Sequence, residues 1–358
     1  MGLGAIIAID NEPQEDLMAS GLVGSIEVYE RLGETTYYTI NFSCDIADED
    51  ISLLGDSRIS PGAELMIIIA SDDVNECLVR GPVFSHDINL SNGGDGSSVM
   101  VKGADNTLQM DREFKSVITE GTDSEAVTTI ASDYFDETLK TTETSSTHPE
   151  DKHTLIQRGT DLQFVRKLAR RNGYKFWIAY DEEGKETPHF DRPDLDSDPV
   201  AELIINRQDY NINSLQISWD SHRPSVAQGL QLDFADKSNI EGSVTEAPHT
   251  LLGSTSQQDF ASDAVTIDLS APVDDSGELN ARLEAAMIEA NFFVNASCQT
   301  SMQQLGKSVR AGTLVTVTGA GTQHSGTYLV AAVKHMIDES AHTMDIELIR
   351  NAVGPSEE

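Results

Sequence analysis

Apolar and polar residues alternate with a period of two over much of the first hundred positions, which is the mark of half-buried strands. Ser25-Ile26-Glu27-Val28-Tyr29 alternates, Gly33 marks a turn, and Thr35 to Phe42 returns as a second strand. The apolar run Leu65 to Ile69 has strand length and follows Pro61-Gly62. Val83 to Leu90 and Val99-Met100-Val101 flank Ser91-Asn92-Gly93-Gly94-Asp95-Gly96, whose Gly and Asn residues suit the positive φ angles of a hairpin loop. Residues 20–104 therefore read as a mostly antiparallel β region.

The period then changes. Thr122-Asp123-Ser124-Glu125 is a capping box ahead of Val127, Ile130, Ala131 and Tyr134, so a helix is predicted there. Thr160-Asp161-Leu162-Gln163 opens a second helix with Leu162, Val165, Leu168 and Ala169 on one face and a stop at Asn172-Gly173. A strand from Tyr174 to Tyr180 and a turn at Glu182-Glu183-Gly184-Lys185 follow. The polar stretch Thr138 to His153 reads as an exposed loop. Leu215 to Trp219 alternates again, whereas 224–274 keeps no steady period and reads as an insertion. A third helix runs from Ser276 through Leu279, Leu283, Met287 and Ala290. Strands then close the chain at Leu314–Val317, Tyr328–Met336 and Met344–Ile349.

The early and late β regions resemble each other. Pro61 to Ile67 parallels Ala311 to Val317, Leu78 to Ile88 parallels Leu329 to Ile337, and Val99 to Gly103 parallels Met344 to Leu348, all about 250 residues apart. His86 and His335 fall at matching places in this repeat, which predicts a shared structural role on a strand. The expected fold class is α+β, mainly β: two similar antiparallel β-barrels joined by a mixed α/β segment, with an insertion before the last helix.

Composition adds constraints. A chain of 358 residues exceeds what one core usually organises. Its 39% hydrophobic residues are enough for packed cores. The 24 basic and 60 acidic side chains leave a net charge of −36, spread along the chain, which repels phosphate and anionic lipid. Sequence-specific nucleic-acid binding and membrane association are therefore rejected, and the acidity reads as a solvated or salt-adapted surface. The longest apolar run, Leu65 to Ala70, falls far short of the ~20 residues that span a bilayer. Met1 to Ile7 has no basic residue ahead of its apolar stretch, so a secretory signal is not expected. Cys44, Cys77 and Cys298 lie far apart and show no metal-binding spacing, as expected of small buried residues in a protein folded in the cytoplasm.

Three stretches carry a family resemblance. Arg58-Ile59-Ser60-Pro61-Gly62 precedes an apolar strand and then Cys77-Leu78-Val79-Arg80-Gly81-Pro82-Val83. Arg158 to Ala169 leads into Gly173-Tyr174-Lys175-Phe176-Trp177. Val309-Arg310-Ala311-Gly312 is followed by Gly326 to Val330 and Val333-Lys334-His335. In this order they resemble the baseplate hub proteins of contractile phage tails and injection systems, including late-control D proteins and the hub portion of VgrG. The resemblance implies tube-type barrels, a homotrimer, and a structural role adapting a hexameric inner tail-tube protein to a trimeric spike, with baseplate wedge proteins as further partners. Because the sequence stops at Gly354-Pro355-Ser356-Glu357-Glu358, the spike is expected to be a separate protein. The domains implied are a first tube-like barrel at 1–104, a mixed connector at 105–201, a second barrel at 202–352 containing insertion 224–274 and helix 276–295, and a tail at 353–358. Assembly in a bacterial or archaeal cytoplasm, into a virion tail or injection particle, follows from the same likeness.

No catalytic, cofactor or metal site is expected. Leu305-Gly306-Lys307-Ser308 lacks the first glycine of a phosphate-binding loop, where Ser301 stands, so Lys307 reads as a surface residue. Asp194-Leu195-Asp196-Ser197-Asp198 opens like a calcium loop, but Pro199 and Ile205 occupy the positions that require Gly and Glu. His148 and His153 read as solvated, and Trp177 and Trp219 as core or interface aromatics. A carbohydrate-binding or adhesin module is the alternative, although 6% aromatic residues leave few for glycan stacking. A cell-wall hydrolase is a weaker one, since a catalytic carboxylate pair would be hidden among so many acids.

Overall fold

The computed structural model describes residues 4–19, 22–44, 51–71, 74–92, 96–149, 154–232, 237–259 and 263–355. The first half of the chain supplies β1 (Ala5–Ile9), β2 (Val23–Arg31), β3 (Tyr37–Ser43), β4 (Glu64–Ser71), β5 (Val74–Asn89) and β6 (Ser98–Ala104). Alternation sets their faces: Ile26 and Val28 on β2 lie opposite Ile40 and Tyr38 on β3, and all four are buried. Gly33 turns this hairpin with φ +84°. The expected β5–β6 hairpin forms, although Gly93 to Asp95 of its loop lie outside the described residues. Tyr38 donates to Gly81 O at 3.0 Å and lies over Gly103, where a Cβ would come within 2.0 Å of its ring. Glycine at position 103 is thus required by close approach, not by chain flexibility.

A mixed segment follows, with β7 (Lys115–Thr119), α1 (Asp123–Ala131), β8 (Leu155–Gly159), α2 (Asp161–Asn172), β9 (Lys175–Tyr180) and β10 (Glu186–Asp191). Both capping boxes are present, and Gly173 ends α2 in the left-handed region at φ 68°. Val127, Leu162, Val165 and Leu168 pack against Phe176 and Phe190. The stretch 138–153 is not a wholly exposed loop: Leu139, Thr144 and His148 are buried, because each side chain has an apolar or hydrogen-bonding partner below it.

The second half contains β11 (Ala201–Ile204) and β12 (Leu215–Trp219), then β13 (Val226–Leu232), β14 (Asn239–Val244), β15 (Thr266–Leu269) and α3 (Ser276–Asn291). It closes with β16 (Val294–Ser301), β17 (Leu314–Thr318), β18 (Gly326–Ile337) and β19 (His342–Arg350). Within the described residues of the aperiodic stretch 224–274, β13 pairs with β14 and β15, and α3 covers the sheet. Its period is hidden because the covered positions include Gly229 and Gly242, which let Leu279 and Leu283 approach the backbone. The third helix ends at Asn291, short of the expected 295, and β16 begins at Val294.

The two halves repeat one strand order. Hydrogen bonding runs β2-β3-β6-β5-β4-β1 in the first and β12-β16-β19-β18-β17-β11 in the second. One difference is that β1 runs antiparallel to β4 whereas β11 runs parallel to β17. Each half surrounds its own apolar core. β18 also pairs with β2, from Ala332↔Arg31 to Ile337↔Ile26, which fuses both halves into one 13-stranded sheet among the described residues. The fold is therefore mainly β and α+β, with large antiparallel sheets.

One carboxylate in the connector runs against this stability. Asn106 Nδ2 reaches both oxygens of Glu186 at 3.0 Å, yet burial pushes the Glu186 carboxyl up to about 7. A folded pKa above the unfolded value of about 4.3 means that protonation favours the folded state, and this contribution is lost as pH rises through about 7. Glu186→Gln is therefore expected to stabilise the protein at pH 8 by roughly 1–3 kcal/mol and to be near neutral at pH 4. Thermal melts at both pH values check this; an equal shift at both would refute it.

Candidate functional site

The joint between the halves is built from the strand ends that meet there. Ile26 and Val28 of β2 point inward, and the next inward position is Glu30, which is buried. Arg310 lies just before β17 and reaches across to it. Its Nε donates to both Glu30 oxygens at 3.0 Å, Nη1 donates to Glu76 Oε1 at 3.1 Å and Cys77 O at 2.9 Å, and Nη2 donates to Leu78 O at 2.9 Å. Ala311 N adds a bond to Glu30 Oε1 at 3.1 Å, and Ser308 Oγ donates to Glu76. One guanidinium thus ties two carboxylates and two carbonyls of the first half to the second.

Two histidines complete the joint. His335 on β18 is fully buried, with Nε2 3.3 Å from Glu30 Oε1 and Nδ1 3.0 Å from Nε2 of His342. Since ionised Glu30 can only accept, His335 donates through Nε2, and a single proton lies between its Nδ1 and His342 Nε2. Burial raises the Glu30 carboxyl, but Arg310 and His335 more than reverse this and hold it at about 2. Burial and neighbouring His335 lower His342 to about 3. The cluster is a charge-compensated clamp. The Cys77 thiol beside it is pushed up to about 12 by burial, so it is no nucleophile at neutral pH.

The repeat is visible at atomic detail beside this clamp. Gly62 N donates to Val83 O at 2.7 Å and Val83 N to Ala63 O at 2.8 Å; Gly312 N donates to Val330 O at 2.8 Å and Val330 N to Thr313 O at 2.9 Å. Gly62 and Gly312 share positive φ values of 96° and 88°. A bulge follows each valine, so Val83 corresponds to Val330 and Ser85 to Ala332. This register corrects the sequence alignment of the middle strand: His86 corresponds to Val333, and His335 to Ile88. His86 instead places Nε2 2.6 Å from Ile59 O. The closing strands keep the register read from sequence, with Val99 matching Met344 and Gly103 matching Leu348.

The other singled-out residues lie apart. His148 is buried, 3.1 Å from Asp123 Oδ1, because α1 and α2 sequester Asp123 with Arg171 and Asn172; it is not a solvated histidine. His153 lies outside the described residues. Lys307 is exposed. The Asp194 carboxylate accepts from Asp196 N at 2.9 Å, and Asp196 accepts from Thr250 at 2.6 Å. No group of three or more His, Cys, Asp or Glu side chains among the described residues could hold a metal ion. Trp177 stacks on His189 at 4.7 Å, and Trp219 is 45% exposed. Cys77 and Cys298 are buried and Cys44 is half-buried. No helix of the described residues is long and apolar enough to cross a membrane. Sequence reading missed Glu30 and Glu76; an acid at an inward strand position, two after Val28, is the signal that marks Glu30.

Comparison with solved structures shows that the fold recurs. A tail protein from Neisseria meningitidis MC58 superposes with a TM-score of 0.64 at 14% identity, covering 98% of this chain and 97% of that one. The 43 kDa tail protein of prophage MuSo2 from Shewanella oneidensis gives 0.63 at 12% identity, covering 97% and 98%. The E. coli c3393 protein gives 0.57 at 12% identity, covering 94% and 76%; it is described as a type VI secretion component structurally similar to the T4 tail proteins gp27 and gp5. At these identities the likeness shows a shared fold, that of β-rich tail proteins. No curated protein matches the sequence. One family model does, over residues 11–339, and by that match the chain belongs to the family described as the Alg8 N-terminal domain.

Proposed function

We propose that the chain is a structural hub of a contractile tail or injection-system baseplate, working as a homotrimer between a hexameric inner tube and a trimeric spike. The observation that carries this reading is the repeated six-strand order, locked into one sheet by β2 and β18. Three copies of a chain with two quasi-equivalent sheets offer six similar edges to a six-fold partner while keeping three-fold symmetry for another. The Arg310 clamp supports the same reading, since an adapter must hold its two repeats at a fixed angle under load. Tube, spike and wedge proteins are the partners this role requires, and assembly in the cytoplasm of a producing cell belongs to the same reading.

The role is mechanical, and no chemical step is assigned. Light scattering on the purified chain is expected to give three times the monomer mass, and images of the particle to show the protein at the tube end. A stable monomer at micromolar concentration that never joins a tube would count decisively against the hub.

A further inference from the structure

Between α2, α3 and the edge of β15 lies a groove of about 580 Å³ whose charge opposes that of the molecule. Lys167, Arg170, Arg171, Arg223 and Arg282 line it, with Glu289 as the lining carboxylate, in a chain with 24 cations and 60 acids. Arg170 is paired with Glu289, Arg171 with Asp123 and Arg282 with Glu278, so these three charges are fixed in place and partly compensated. Lys167 is exposed and, like Arg223, makes no ion pair among the described residues. Burial, and then nearby Arg282, lower Arg171 to about 10. Of the neighbouring hollows, one adds Arg158 beside Glu278 and another adds Arg31 and Lys175 beside Glu34. The floor is apolar, formed by Leu269, Ala286 and Ala290 among others.

We propose that this groove is a docking site for an acidic peptide segment of a protein partner, with apolar residues between its carboxylates. The cationic rim selects the carboxylates, and the small-residue floor accepts the intervening side chains. A long polyanion fits poorly, because beyond the groove it meets the field of a chain with net charge −36. This inference stands independently of the hub reading.

Fluorescence anisotropy with a labelled peptide of alternating Glu and Leu tests it, with alternating Lys and Leu, and oligothymidylate, as controls. The Glu/Leu peptide should bind at low salt and weaken as salt rises, while both controls stay unbound. Lys167→Glu with Arg170→Glu, both at exposed positions, should weaken binding by at least about tenfold without changing the circular dichroism spectrum. Glu289→Gln should tighten it, which gives a second reading should the double variant fail to fold. No binding, unchanged binding to either variant, or equal binding of oligothymidylate would overturn the proposal. So would a change in solution mass on charge reversal, which would assign the groove to a second copy of the chain.

Discussion

Arg310→Met is expected to cost about 3–5 kcal/mol of folding stability, the loss typical of removing one partner from a buried charge cluster. The substitution strands Glu30 and Glu76 without the guanidinium they share and frees the carbonyls of Cys77 and Leu78. Replacing the whole cluster by apolar groups would cost far less, since most of the penalty comes from stranding the carboxylates. Adding Glu30→Gln to Arg310→Met should therefore recover part of the loss. Urea unfolding of the two variants measures both values, and hydrogen exchange locates the damage: amides shared by β2 and β18 should lose protection before those of β17. A loss under about 1 kcal/mol would show that the clamp is dispensable.

Acid should open the same joint. His342 titrates at about 3 in the folded protein and near 6.5 when unfolded, so the unfolded state binds the proton first and stability falls as pH drops from 6.5 toward 3. The groups facing it are His335 and, beyond that ring, Glu30 and Arg310; protonating His342 adds a cation to a buried site that already holds Arg310 and sets its Nε2 proton against His335 Nδ1. Glu30, held at about 2, adds to the acid loss below pH 4.5. Together these two groups contribute a loss of roughly 2–4 kcal/mol between pH 7 and pH 4, against which the raised Glu186 carboxyl works in the opposite sense. His342→Gln should flatten the slope between pH 6.5 and 4, leaving the share of His249, which burial lowers to about 4. Unfolding free energies across that range decide it; an unchanged slope would assign the acid sensitivity elsewhere.

The local parts of this fold were readable from residues alone. Thr122 and Thr160 cap their helices as their neighbours Glu125 and Gln163 indicate, and Gly173 stops α2 where Asn172-Gly173 says it should. The match of Val99–Gly103 with Met344–Leu348 held in the paired strands, because tight alternation allows a slip only in steps of two. The middle strand slipped by two at its histidines, where the strand of the first half is 16 residues long and that of the second 12. β16 escaped notice because its inward residues are Val294, Ala296, Cys298 and Thr300, too small and too polar for a clear period. Little of the candidate site was legible: His335 was marked as a strand residue and Arg310 lay within a stretch that carries the resemblance, whereas Glu30 looked like any other acid among 60.

Periodicity, caps and turn residues depend on neighbours a few positions away, and so the composition of each strand and helix, the mainly β class and the presence of a repeat are written in the chain order. The pairing of β18 with β2, the meeting of Glu30 with Arg310, and the covering of Gly229 and Gly242 by α3 join residues far apart in sequence. Alternation tells a strand which face to bury but not which edge to join. That choice is made when the two cores close against each other and leave one edge of each half free to pair.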